Sequence, residues 1–227
     1  RFSVFSSSSG VNGKETEMNT YKQEIIETGR WIMEKNLTWG TSGNISVRAG
    51  DRIYVTASGT VIGDLCEEDI SVVDLEGKVL EGRKPSKETG MHLEVYRKRP
   101  EVAAVLHASP FWTTFAACTR MELKTDLFIE SMYYDEKLVR VPYFHAGSSA
   151  LAEAVSEVAE KTHVILMEHH GMLCYDQNLK ECRSALEVTE NVCRMNLMAQ
   201  SAGIPLQELP EATVRDFLEG GYYRKRR

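Results

Sequence analysis

Between Asn19 and Lys35 the apolar residues Ile25, Ile26, Trp31, Ile32 and Met33 fall on one face of a 3.6-residue period, which predicts an amphipathic helix. The pattern breaks over Thr38–Asn44, a polar, glycine-containing turn. Alternation then predicts strands at Ile45–Val47 and Ile53–Thr56, joined by a hairpin at Ala49–Asp51. Ser71–Leu75 and Lys78–Leu80, with Glu76 and Gly77 between them, predict a second hairpin. A helix through Met91–Lys98 stops at Pro100. Val102–His107 and His163–Met167 are short apolar runs that predict buried strands, with Gly171–Tyr175 continuing the sheet. Helices are predicted from Pro110 to Cys118, from Ala150 to Glu160 behind a Gly147–Ser149 cap, and from Leu179 to Ala202. The variable stretch before Gly147 is assigned no element.

No internal repeat or interior low-complexity linker is visible, so the pattern predicts a single α/β domain over residues 18–227, with a central, largely antiparallel sheet flanked by helices. Residues 1–17 are rich in Ser and Gly and precede Met18. They read as a disordered leader outside the fold.

Composition narrows the function. A 42% hydrophobic content over 227 residues is enough for a real core, and no apolar run approaches a membrane span. A net charge of −6 argues against a general nucleic-acid binder, which would need clustered Lys and Arg. The basic cluster Arg224–Arg227 reads as a solvated tail. Five cysteines, none in a CxxC pair, suit a reducing, cytoplasmic compartment better than a disulfide scaffold.

Three places carry candidate chemistry. His107 ends one apolar run and His169 and His170 end another, and neutral imidazoles are good ligands for zinc and similar ions. On a continuing strand, His169 and His170 would point to opposite faces, so one of them at most would join a given site. Glu88, just ahead of a helix, is suited to ligate a cation or exchange a proton with substrate. The turns at Thr41–Asn44, at Ser58 and Gly59, and at Ser86 and Lys87 combine small hydroxyl residues with backbone N–H groups, a composition that suits a phosphate.

The order and spacing of Gly40–Arg48, Val55–Gly59, Lys84–Glu88, Tyr96–Pro100 with Val105–His107, and His169–Gly171 resemble the class II aldolase/adducin family from about Met18 to the C-terminus. The resemblance implies a metal-dependent aldolase that cleaves a ketose 1-phosphate to dihydroxyacetone phosphate and an aldehyde through an enediolate. It implies a divalent metal, zinc above others, and a homotetramer with active sites at subunit interfaces. By the same resemblance Gly43, Asn44, Ser58, Gly59, Ser86 and Lys87 hold the substrate phosphate, with Lys87 standing where a serine is frequent. Glu88 matches the acid/base carboxylate, His107 and His170 match two metal-binding histidines, and Tyr222 or Tyr223 matches a C-terminal tyrosine that helps with protonation.

Two positions depart from the family pattern. Ser109 stands where a third metal-binding histidine is usual, and a serine hydroxyl is a poor zinc ligand. His145, or Glu88 as a permanent ligand, would restore the count; otherwise the metal is weak, different or absent. Phe128 stands near a second family tyrosine, with Tyr133 and Tyr134 close by to supply a hydroxyl. Beside the aldolase stand a decarboxylase or 4-epimerase of a related sugar phosphate, and a non-catalytic, adducin-like interaction protein.

Overall fold

The computed structural model describes the backbone of residues 9–222 and the side chains from residue 20 onward. Its alternating apolar segments become eight strands: β1 (Asn44–Ala49), β2 (Arg52–Thr56), β3 (Ile70–Val73), β4 (Val79–Glu81), β5 (Ala104–Ala108), β6 (Val139–Val141), β7 (Val164–Met167) and β8 (Gly171–Asp176). They form one sheet in the order β4-β3-β2-β1-β5-β8-β7-β6. Every pairing is antiparallel except β6 with β7. The helices are α1 (Ser9–Glu34), α2 (Thr89–Lys98), α3 (Phe111–Ala117), α4 (Ile129–Tyr134), α5 (Ser149–Val158), α6 (Leu179–Ala202) and α7 (Glu211–Glu219).

The two faces of the sheet hold separate cores. Ile45 and Val47 of β1, Leu106 of β5 and Cys174 of β8 pack with Ile25 and Ile32 of α1 and Leu186 of α6. Val105, Leu173, Ile53 and Ile165 face the other way, onto Met91, Val95 and Tyr96 of α2 and Leu151 and Val155 of α5. Burial on both faces explains why the central strands read as continuous apolar runs rather than strict alternations. Two caps fix helix starts: Ser148 Oγ accepts from Leu151 N, and Asn178 Oδ1 accepts from Glu181 N.

Three segments without a sequence assignment, α4, β6 and α7, are ordered elements. The first helix begins at Ser9 rather than Asn19, so residues 9–17, set aside on sequence grounds, continue it. Residues 1–8, Tyr223 and the basic tail lie outside the described residues. Among the described residues no helix is long and apolar enough to cross a membrane.

Candidate metal centre

His107 is placed by strand alternation. Leu106 and Ala108 face the α1/α6 side, so His107 faces α2. It lies opposite Asn44 of β1 on one side and Leu173 of β8 on the other. Its Nδ1 lies 2.8 Å from the Met172 carbonyl oxygen. A carbonyl only accepts, so Nδ1 carries the proton and Nε2 keeps its lone pair, the tautomer a metal ligand needs.

His170 comes from the tight turn between β7 and β8 rather than from a strand. His169 adopts φ 56° and Gly171 φ 143°, and His170 N–H bonds the Met167 carbonyl. Gly171 is required twice over. Its φ favours glycine, and a Cβ there would sit 2.6 Å from the Ala108 carbonyl oxygen. The turn sends His170 to the site and leaves His169 exposed, so one of the two neighbours joins it.

Glu88 sits immediately before α2, where its side chain makes no cap, and it is buried. Its Oε1 lies 3.1 Å from His170 Nε2 and its Oε2 3.6 Å from His107 Nε2. The ligand atoms of Glu88, His107 and His170 all lie within 4.8 Å of one another. The two imidazole rings meet edge to face at 4.8 Å.

This donor set fits a divalent cation. Glu88 Oε1 is buried without a hydrogen bond, because the 3.1 Å approach of His170 Nε2 lacks hydrogen-bond geometry. On the other side, the His107 lone pair faces Oε2, and two such electron-rich atoms repel unless a cation lies between them. Burial alone raises the Glu88 carboxyl; His170 and His107, when their rings carry the extra proton, and the Asn44 amide outweigh it and hold the group down to about 2. Burial also pushes His107 below its ordinary value. As that ring becomes neutral its pull on Glu88 ends, and a metal ion is the natural replacement charge. Two histidines and one carboxylate with open positions form a known type of catalytic zinc site.

Ser109 is buried, and its hydroxyl is already occupied. It donates to the His170 carbonyl at 3.1 Å, which leaves Ser42 as the donor in the 2.5 Å contact between the two hydroxyls. Ser109 therefore braces the backbone of a histidine. His145 does not join the Glu88, His107 and His170 group; it is exposed, with Nδ1 3.0 Å from Tyr143 Oη. Tyr134 donates to Glu181 Oε2, and Tyr133 is buried. Tyr222 is 68% exposed, its ring stacked on Phe217.

The turns expected to take phosphate are brought close to one another. A bridge between Ala57 and Pro85 ties the Ser58 turn to the Ser86 turn. Gly43 lies against β5, where a Cβ would meet the His107 carbonyl oxygen at 2.9 Å. Several groups in the set are nonetheless spent internally. Ser58 N and Ser86 N donate to the carbonyls of Lys84 and Thr56, and Ser86 Oγ accepts from Glu88 N. The Asn44 side chain bonds Glu88 through Nδ2 and His92 through Oδ1. Lys87 is exposed and makes no ion pair among the described residues. His92, Ser46 and Tyr96, which adjoin this network, were not singled out from sequence. Their signal is polar residues spaced by four on a helix and by two on a strand, amid apolar neighbours.

Fold and site together define a metal-dependent α/β enzyme. The chain belongs to the class II aldolase family: the model described as "Class II Aldolase and Adducin N-terminal domain" matches residues 23–197. It is 34% identical over 177 residues to an L-fuculose phosphate aldolase of Methanocaldococcus jannaschii, covering 78% of this chain and 96% of that one. A 3-oxo-tetronate 4-phosphate decarboxylase of Haemophilus influenzae is 32% identical over 206 residues, covering 88% and 97%. Among solved structures, an L-fuculose 1-phosphate aldolase superposes with a TM-score of 0.82 at 30% identity, covering 90% of this chain and 97% of that one.

Proposed function

We propose that this chain cleaves a ketose 1-phosphate between C3 and C4, releasing dihydroxyacetone phosphate and an aldehyde. The convergence of Glu88, His107 and His170, with Glu88 filling the place left by Ser109, carries the proposal. A divalent ion, zinc in this reading, would be held by those three residues and would supply a Lewis acid for the negative charge that builds on substrate oxygens as the bond breaks. In this reading Oε2, held by Asn44 and facing His107 Nε2, is the oxygen that would ligate the ion, which leaves Oε1 to move the proton on the dihydroxyacetone phosphate fragment. Gly43, Asn44, Ser58, Gly59, Ser86 and Lys87 hold the phosphate, with the Lys87 ammonium as its charge partner and the Asn44 N–H that is not given to Glu88 available to it. Tyr222 or Tyr223 serves the departing aldehyde from the C-terminal segment of a neighbouring subunit in a homotetramer. Tyr222's exposure supports that assignment, as do the exposed apolar side chains of Phe111, Phe115, Met195 and Met198 on α3 and α6. A cytoplasmic location completes the reading.

The test is to load the protein with zinc, add L-fuculose 1-phosphate and related ketose 1-phosphates, and follow dihydroxyacetone phosphate through a coupled dehydrogenase. Turnover that disappears in His170→Ala is the expected result. Turnover unchanged by His170→Ala would refute the metal site. A second reading, decarboxylation of a 3-oxo acid phosphate, draws on the Haemophilus influenzae relative, which matches a larger share of this chain than the Methanocaldococcus jannaschii aldolase. Carbon dioxide release from such a substrate, without cleavage of ketose 1-phosphates, would select it.

A further inference from the structure

A chain of side-chain hydrogen bonds leads from the core to Glu88. Tyr96 Oη lies 2.8 Å from Ser46 Oγ, Ser46 Oγ 2.7 Å from His92 Nδ1, and His92 Nε2 2.6 Å from Asn44 Oδ1. Asn44 Nδ2 then reaches Glu88 Oε2 at 2.9 Å. All five residues are buried. The chain exists because two spacings match: four residues of helix rise about 6 Å and two residues of strand advance about 6.7 Å. Glu88, His92 and Tyr96 therefore interleave with Asn44 and Ser46 along β1, whose other residues, Ile45 and Val47, face the opposite core.

The donors can be ordered from the carboxylate inward. An ionised Glu88 only accepts, so the Asn44 NH2 faces it and the Asn44 oxygen faces His92. His92 must then donate from Nε2, and burial keeps the ring neutral, so Nδ1 accepts from Ser46. With its own proton committed, Ser46 accepts from Tyr96. Every proton points toward Glu88. Reversing any link turns the Asn44 oxygen onto the carboxylate.

We propose that His92 is a positioning residue whose Nε2–H tautomer, held by Ser46 and Tyr96, locks the Asn44 amide so that Glu88 stays aimed at the metal site. This role rests on the reading of Glu88 as a metal ligand. It makes Asn44 part of the support for Glu88, beside the phosphate contact implied for its remaining amide N–H.

The first test uses the unaltered protein. Long-range 15N–1H spectra of the histidine rings are expected to show His92 with Nε2 protonated and Nδ1 bare. A protonated Nδ1, or rapid averaging of the two tautomers, would overturn the proposal whatever the enzyme's activity. The second test compares His92→Phe with His92→Gln, whose amide nitrogen can reach the position of Nε2. Cobalt(II) affinity, measured by competition, should fall about 10–100-fold in His92→Phe, and His92→Gln should restore most of it. The kcat should fall in parallel, while KM for the ketose phosphate changes little. Equal cobalt affinity in wild type and folded His92→Phe would overturn the relay and leave the proposed function standing. A wild type that binds no cobalt would overturn the metal reading and this proposal with it. Should His92→Phe not fold, the ring spectra of the wild type still decide.

Discussion

At the scale of single residues, Ser109 shows how a departure from a family pattern acquires a local purpose. From sequence alone it reads as a missing imidazole. In the structure its hydroxyl bonds the His170 carbonyl, while Glu88 is the third member, with His107 and His170, of the group that could hold a metal ion. Ser109→Ala would leave that carbonyl and the Ser42 hydroxyl without this partner. We expect a stability loss of about 1–3 kcal/mol, the cost of stranding a buried polar group. Urea unfolding of the metal-free protein measures it, and an unchanged midpoint would show that the brace carries no weight. Glu88→Gln tests the neighbouring position. It removes the charge while keeping much of the shape, so cobalt binding should weaken and turnover drop to background. Retained cobalt affinity would return attention to a different third ligand.

At the scale of elements, the β7–β8 turn is the piece that makes the site. It delivers His170 only because Gly171 passes within van der Waals range of β5. In Gly171→Ala the new methyl would meet the Ala108 carbonyl oxygen, a backbone atom held in the sheet, at a φ that disfavours side chains. We expect a cost of about 2 kcal/mol or more together with loss of cobalt binding, read by thermal melting and metal titration on one sample. Normal binding in a folded variant would mean that β8 can shift without disturbing His170. Legibility in the sequence followed element length. The Leu179–Ala202 helix matches its expected bounds because it holds many turns of periodic signal. By contrast, α4 has six residues, β6 has three, and α7 buries only Val214. Too few apolar positions repeat in these segments to reveal a period. His107, His170 and Glu88 were legible as residues, and the family resemblance put them in one site, whereas periodicity and spacing alone did not show that they meet. His145, offered by the sequence as one way to restore the third ligand, lies outside the cluster, because which chain segments converge is set by the order of the sheet.

At the scale of the whole molecule, the layer between α2 and the sheet holds Glu88, His92 and His107 in one buried polar seam, and all three respond to acid in the same direction. Burial lowers His92 from 6.5 to about 3. Between those values the unfolded chain binds a proton that the folded chain refuses, so falling pH favours unfolding. The contribution is complete above about pH 6.5 and shrinks by about 1.4 kcal/mol per pH unit below it. His107 is lowered by burial too and adds to the slope over its own window. Glu88, held at about 2 against an ordinary 4.5, extends the loss into stronger acid. The metal-free protein should therefore lose urea resistance steadily from pH 7 to pH 4.5, and His92→Gln should flatten the curve by about one proton. Bound zinc should steepen it, since His107, His170 and Glu88 must all shed protons to ligate. Urea midpoints across that range, with chelator and with zinc, measure both effects. A flat chelated curve would mean that His92 takes up its proton within the folded state. The ring would then have to turn or leave Asn44, and the seam could not hold its present order of donors.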